Sequence, residues 1–470
     1  MTRDVVVIGG GISGLSAAWE LSGGSAGPSA TSPRVILMES SDRIGGVLRS
    51  GAFGGRDIDF GADGFLGRRP EAHDLCQEVG LGSALAPVGK QGAGVWARGR
   101  VRKLPTGLAL GVPTRFWPTL RSGVLDSRGV AGLARDALLP RPDVRGPIGD
   151  RSIGPLVARK LGQRVVDRLV DPMIGGIHAG SVDDMSAVAV YPALLAAAQR
   201  RGGLMRALRA ETPPPGPDAP PLFWAIDGGM QRLADRLGQV LSERVAEIRV
   251  NAPVERLERK GSGWVVAGGG GGTGADAVVL AVPAPAAARL MSAHDEEAAT
   301  LLGGIEYASV GLVTFRLAVG QVPRALEGTG FLVPRRSPHP DDPNVFAVTA
   351  CTYLSEKWPH LAIPGEIIMR VSVGRFGDAR FERWTDEELV TRAWTELALL
   401  CGVTGSPLES VVVRFPDAFP QYRVHHLLRV AGIEAAAARL GGLAVAGAAY
   451  HGVGIPACIA NGRAAAHTLL

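Results

Sequence analysis

The tightest constraint on how this chain folds lies in its first forty residues. Val5-Val6-Val7-Ile8 is a β-branched apolar run that passes directly into Gly9-Gly10-Gly11, and Ser16-Ala17-Ala18-Trp19-Glu20-Leu21 then suits a helix. After a loop rich in Gly, Ser and Pro from 23 to 33, Val35-Ile36-Leu37-Met38 reads as a second buried strand that ends at Glu39. Strand, glycine turn, helix and strand in that order make a βαβ unit, which commits this part of the chain to a parallel α/β sheet.

Within that unit the glycines follow Gly9-x-Gly11-x-x-Gly14, with Gly10, Ile12 and Ser13 between them, and Glu39 stands 25 residues after Gly14. This is the dinucleotide-binding fingerprint of a Rossmann-like domain in its required context, and each position has a physical reason. Gly9 makes the tight turn, Gly11 lets backbone approach a pyrophosphate, Gly14 allows close helix packing, and the helix N-terminus favours negative charge. Glu39, with Ser40 beside it, accepts hydrogen bonds from the adenosine ribose hydroxyls on this reading.

Composition excludes other classes. With 470 residues, 46% apolar and 20% charged, the chain is long enough for two or three domains with real cores and is not disordered. A net charge of +5 over that length, with no run of five basic residues, argues against a nucleic-acid partner. Only five of the 50 basic residues are Lys, so 45 are Arg. Cys76, Cys351, Cys401 and Cys458 are scattered, without a C-x-x-C pair or a spaced His, so no metal is expected and a reducing cytoplasm suits them. Thr2-Arg3-Asp4 leads straight into the first strand without a signal-peptide pattern, which again points to the cytoplasm. Gly441 to Gly462 is free of charge over 22 residues, but its glycines, Pro456, His451 and Asn461 read as a buried strand, a turn and a helix start. No transmembrane segment is expected, while peripheral membrane contact stays open.

Along the rest of the chain, apolar residues at three and four spacing make 105 to 221 mainly helical, as in Ile153, Leu156, Val157 and Leu161. Pro213-Pro214-Pro215-Gly216-Pro217 closes that region as a linker. Trp264-Val265-Val266 and Ala277 to Val282 read as a hairpin joined by the Gly268 to Gly272 run. Gly311 to Phe315 suits a strand, 385 to 400 a helix, and Leu443 to Gly447 a short buried strand.

Further motifs decide which dinucleotide is bound. Arg43-Ile44-Gly45-Gly46-Val47 follows the ribose acid, Gly61-Ala62-Asp63-Gly64 comes behind it, and Ala225 to Leu233 with Val254 precedes the next strand. In Gly447-Ala448-Ala449-Tyr450-His451-Gly452-Val453-Gly454-Ile455-Pro456-Ala457-Cys458-Ile459 a strand breaks into a glycine turn and a new helix, whose N–H groups suit negative charge. The Glu-x-x-x-Arg-x-Gly-Gly arrangement resembles the flavin amine oxidase superfamily. Together with Asp171-Pro172-Met173-Ile174-Gly175-Gly176-Ile177-His178-Ala179-Gly180-Ser181, the two ends resemble the protoporphyrinogen/coproporphyrinogen III oxidases of haem synthesis, nearest the soluble bacterial branch.

That resemblance covers nearly the whole chain. It implies a discontinuous FAD-binding domain at 1–70, 222–290 and 438–470, an α+β substrate domain at 71–104 and 291–437, and a helical domain at 105–221. It implies non-covalent FAD held by Gly9, Gly10, Gly11, Ile12, Ser13, Gly14, Glu39, Ser40, Arg43, Gly45, Gly46, Val47, Gly61, Ala62, Asp63, Gly64, Val254, Ala449, Val453, Gly454 and Ile455. It also implies oxidation of coproporphyrinogen III to coproporphyrin III with molecular oxygen, three H2O2 being formed, and passing contact with the next haem-synthesis enzyme. Protoporphyrinogen IX is the alternative substrate; a flavin amine oxidase, a carotenoid desaturase and a non-catalytic flavin module are other readings that the shared FAD ends permit. For substrate, Gly176 matches the glycine whose carbonyl faces the pyrrole N–H groups and Arg98 the arginine that pairs with a propionate, unless it is one more surface arginine. Phe331 lies in a segment that walls the pocket in relatives, with core packing an equal reading. No side chain is assigned as catalytic: His178 and His451 read as core or solvated histidines, and Cys458 carries no expected flavin link.

Overall fold

The computed structural model describes residues 3–139, 149–200, 202–212, 216, 219–244, 246–268, 271–323, 325–342 and 345–470. Of the features expected above, Pro213, Pro214, Pro215 and Pro217 of the linker and Gly269–Gly270 of the glycine run lie outside the described residues. The chain divides into two compact units, Met1–Pro87, Pro220–Glu306 and Leu427–Leu470 forming one, and Val88–Ala219 and Tyr307–His426 the other.

The first unit is built on a five-stranded parallel sheet. Strand β1 (Asp4–Ile8) lies between β2 (Arg34–Met38) and the strand Ala277–Leu280, with Ala246–Arg249 outside β2 and Leu443–Val445 outside Ala277–Leu280. Nearly every central-strand residue is buried, as a parallel sheet covered on both faces requires. Helix α1 (Ile12–Leu21) and the helices Gln231–Ser242 and Ile455–His467 supply Leu15, Trp19, Leu233, Leu237 and Ile459 to one core with Val5, Val7 and Leu37. A Cβ on Gly462 would stand 2.1 Å from the Ser13 carbonyl oxygen, so only glycine there lets Ile455–His467 cross the start of α1 so closely.

The expected hairpin is different. Gly263–Gly268 pairs antiparallel with Arg256–Lys260 on one side and Gly271–Ala275 on the other, whereas Ala277–Leu280 belongs to the parallel sheet. The true partner strand, Gly271-Gly272-Thr273-Gly274-Ala275, has too few side chains to carry a strand pattern, so the glycine run looked like the turn.

The second unit holds a seven-stranded sheet in the order Glu409–Pro420, Tyr307–Ala318, Glu366–Val373, Val348–Tyr353, Gly330–Leu332, Gly94–Ala97, Arg100–Lys103. All its pairs are antiparallel except Gly330–Leu332 with Gly94–Ala97. The helix Asp386–Cys401 covers one face; Thr385 and Glu388 form a capping box at its start, and Gly402 (φ 79°) ends it in the left-handed region. Helices between Phe116 and Glu211 bury Leu133, Leu156, Val157, Leu169 and Leu208 in a second core. No helix among the described residues is long and apolar enough to cross a membrane.

Candidate dinucleotide site and substrate turn

The three fingerprint glycines are needed for three different reasons. Gly9 has φ 106°, and a Cβ on it would lie 2.4 Å from the Ala281 carbonyl oxygen. A Cβ on Gly14 would lie 1.9 Å from the Gly9 carbonyl oxygen, so α1 packs onto the turn only through hydrogen. Around Gly11 there is nothing within 4 Å of where a Cβ would be, which leaves backbone open to an approaching group. Gly11 is also the N-cap of α1, where no side chain caps the helix and no acidic residue occupies the first turn. The N–H groups at Ile12 and Ser13, both buried, therefore begin a helix whose positive end is not neutralised by the protein.

Glu39 is oriented before any ligand arrives. Its Oε2 accepts from the Gly10 N–H at 2.7 Å, and its Oε1 from the Ser41 N–H at 2.8 Å and the Ser40 hydroxyl at 3.3 Å. Asn251 and Ala252 N–H groups donate to the Ser41 and Glu39 carbonyls at 2.7 and 2.8 Å, which fixes the segment that leads to Val254, two residues past Ala252. Gly268 admits this segment, since a Cβ there would be 3.1 Å from Val254 Cα.

Gly45 (φ 109°) and Gly46 (φ 58°) form a strap over the glycine turn. The Gly45 N–H donates to the Gly10 carbonyl at 2.8 Å, and a Cβ on Gly46 would be 3.2 Å from Gly11 Cα. Arg43 is spent on the strap itself: Nη1 donates to Leu48 O (2.9 Å), Gln231 Oε1 (2.8 Å) and Ile44 O (3.2 Å), and Nη2 to Gly46 O (2.7 Å). Val47, next in line, is 52% exposed. Sequence reasoning missed what stands behind Gln231. Its N–H donates to Ser50 Oγ (3.0 Å), Ser50 donates to buried Asp59 (2.6 Å), and Asp59 also accepts from the Met230 N–H (2.7 Å). Only the Gly228-Gly229 turn before Met230 hinted at it. Gly61, Ala62, Asp63 and Gly64 make the connection from Arg56–Asp59 to Phe65–Leu66, with Ala62 exposed.

The second glycine turn follows Leu443–Val445. The Gly447 N–H (φ 143°) donates to Asn461 Oδ1 at 2.7 Å, Ala449 is buried, Val453 is half-buried, and exposed Gly454 caps the helix that begins at buried Ile455. This N-terminus too has no side-chain cap and no acidic first turn. Burial pushes the Cys458 thiol up to about 11, so it stays protonated. His451 is exposed and pairs with Glu434 at 2.7 Å.

In the other unit, a π-helix over Val166–Gly175, with Pro172 inside it, runs into the short helix Gly176–His178 and then Ala179 (φ 47°). Three segments that follow sheet strands hold this turn. The Gln421 amide donates to the His178 carbonyl (3.0 Å), the Phe376 N–H to Ala179 O (2.6 Å), and Arg335 Nη2 to Gly180 O (2.6 Å). His178 is buried with Nδ1 unpartnered, and that burial, with His426 nearby, pushes it down to about 4, so the ring is neutral. The side chain nearest Gly176 is Leu332, whose Cδ2 lies 3.7 Å from where a Cβ would stand. Phe331 points the other way by strand alternation, 2% exposed and against Tyr353 beneath Asp386–Cys401. Arg98 (φ 55°) is exposed at the Ala97–Arg100 hairpin tip; the structure does not group it with Phe331.

Residues 12–470 match the family model described as flavin containing amine oxidoreductase. The chain belongs to that family. Among curated proteins it is 30% identical to the coproporphyrinogen III oxidase of Bacillus subtilis over 98% of this chain and 97% of that one. It is 35% identical to the protein of that name from Mycobacterium tuberculosis, over 98% and 96%. A crystal structure from Exiguobacterium sp. 255-15, provisionally named a protoporphyrinogen oxidase, superposes with TM-score 0.88 at 29% identity, covering 100% of this chain and 99% of that one.

These matches place the chain in the porphyrinogen oxidase branch of the flavin amine oxidoreductases, and it is a flavin-dependent oxidoreductase. A flavin carried as a dinucleotide is FAD, and the residues present fit it. The bare backbone at Gly11 and the uncapped start of α1 suit a pyrophosphate, and the pre-oriented Glu39 retains acceptor capacity for ribose hydroxyls.

Proposed function

We propose that this chain oxidises coproporphyrinogen III to coproporphyrin III, using three molecules of oxygen and releasing three of hydrogen peroxide as six electrons and six protons leave the macrocycle. What carries the reading is the full-length likeness to bacterial proteins of that name at 30–35% identity. Bound FAD supplies the two-electron acceptor for each step. The protein's own part is to bind, orient and keep water away. Gly9 to Gly14, Glu39, Ser40 and Val254 hold the adenosine and pyrophosphate side; Gly45, Gly46, Val47 and Gly61 to Gly64 continue the cradle, and Arg43 acts by fixing the strap. Ala449, Val453, Gly454 and Ile455 offer backbone donors to the flavin ring. In the other unit the Gly176 carbonyl meets pyrrole N–H groups, and Arg98, with no hydrogen bond or ion pair of its own among the described residues, takes a propionate. The expected setting is the cytoplasm, with transient handover of product to the next enzyme.

Protoporphyrinogen IX is a second reading because the Exiguobacterium neighbour bears that name. Aerobic fluorescence of the FAD-loaded protein with each porphyrinogen separates the two. Faster porphyrin emission from the copro compound supports the proposal, faster emission from the proto compound replaces it with the second, and no emission above a protein-free control removes both.

A further inference from the structure

Beside the Gly176 turn, wholly within the second unit, is an open cleft of about 710 Å³ lined by Arg335, Arg375, Arg380, Arg383, Asp378 and Glu382, among others. Its size is that of an organic-ligand pocket rather than a water site. The charges inside do not balance. Arg380 is clamped to Asp378 by two bonds of 2.8 Å, and Arg335 is occupied by Gly180 O, Phe376 O and Asp171 at 3.7 Å. Arg375 has neither: its Nε and Nη2, the edge that matches a carboxylate, are buried without any hydrogen-bond partner. Burial first, then Arg335, pushes the Arg375 guanidinium down to about 10 against the opposing pull of Asp171 and Asp378, neither of which is hydrogen-bonded to its Nε or Nη2. Arg383, exposed on the rim, makes no ion pair among the described residues.

We propose that this cleft binds a carboxylate arm of the tetrapyrrole through Arg375, with Arg383 at its mouth, at one of the positions where coproporphyrinogen carries a propionate and protoporphyrinogen a vinyl group. The inference rests on the function proposed above and makes the cleft a specificity determinant. With Asp378 on Arg380 and Asp171 on Arg335, Glu382 is the one lining acid against Arg375 and Arg383, so a cation is in excess; a guanidinium can hold a carboxylate with two hydrogen bonds, whereas a vinyl group offers it nothing and leaves Arg375 unpaired. Arg335 connects the cleft to the turn, because the side chain that lines the cleft also fixes the Gly180 carbonyl, four residues from Gly176.

The test compares FAD-loaded wild type, Arg375→Gln and Arg383→Gln in steady-state oxidation of both porphyrinogens, together with fluorescence titration of coproporphyrin III in the presence and absence of inorganic phosphate. Arg375→Gln is expected to raise KM for coproporphyrinogen III and Kd for coproporphyrin III about tenfold, with kcat held within about twofold and protoporphyrinogen kinetics unchanged. Arg383→Gln, at the rim, is expected to shift the same constants by about two- to threefold. Since it is exposed and folds regardless, it carries the comparison should Arg375→Gln prove unstable. Equal changes for both substrates, or none, overturn the inference. So does a phosphate effect that depends on Arg375 while porphyrin binding does not, which would make the cleft a site for a free anion. Wild type that turns over neither porphyrinogen defeats the parent reading instead.

Discussion

Gly11 and Gly14 stand three residues apart and answer an added methyl group in opposite ways. At Gly14 the methyl meets the Gly9 carbonyl at 1.9 Å, so Gly14→Ala is expected to cost roughly 1–3 kcal/mol in a denaturant titration of the cofactor-free protein. At Gly11 the methyl meets no protein atom, so Gly11→Ala keeps its unfolding midpoint, while its FAD Kd rises by about tenfold or more, the equivalent of about 1.4 kcal/mol. Equal FAD affinity in wild type and Gly11→Ala would move the pyrophosphate elsewhere. The fingerprint was legible because glycine spacing is a local signal. The work of Arg43 was not: its acceptors include Gln231, 188 residues away. His178 adds a pH dependence. Its folded pKa of about 4 lies below the ordinary 6.5, so the stability it contributes is complete above pH 6.5 and is lost as pH falls toward 4. Wild type is expected to lose about 2 kcal/mol more than His178→Gln between pH 7 and pH 5, read from urea midpoints.

At the scale of elements, boundaries that rest on capping chemistry were readable and those that rest on facing were not. The helix expected at 385–400 forms as Asp386–Cys401, because Thr385, three acidic residues in its first turn and Gly402 mark both ends. Thr385→Ala is therefore expected to destabilise the second unit by about 1 kcal/mol, detectable as a lowered urea midpoint without loss of FAD absorbance. Period-two alternation in Gly330-Phe331-Leu332 says that Phe331 and Leu332 face opposite ways, but not which of them meets the helices around Gly176. The hairpin expectation fails for a related reason: Gly271–Ala275 is a strand made by its neighbours rather than by its own residues.

For the whole molecule, the consequential fact is that the parallel sheet is assembled from distant pieces. Asp4–Ile8 pairs with Ala277–Leu280, which pairs with Leu443–Val445. Sequence reads Val5 to Ile8, Val35 to Met38 and Leu443 to Gly447 as strands but takes Ala277 to Val282 as a hairpin arm and does not pick out Ala246–Arg249, and the strand order follows from crossovers that no local pattern records. Deleting residues 441–470 removes a strand, the second glycine turn and the Gly462 contact with α1. The truncated chain is expected to purify without flavin absorbance and to lose a cooperative thermal transition; a yellow, cooperatively melting product would show that the sheet closes without that segment.

The same interleaving sets a clock on synthesis. A ribosome adds about 5–20 residues each second, so something like 20 to 90 seconds separates the emergence of Asp4–Ile8 from that of Leu443–Val445. For most of that interval the βαβ unit has its glycine turn but lacks an outer strand, and in the last part of it Val279, once made, waits for Ala444 beside it. The cradle proposed for the flavin is therefore complete only when Ala449 to Ile455, near residue 450, have followed Gly9 to Gly14 out.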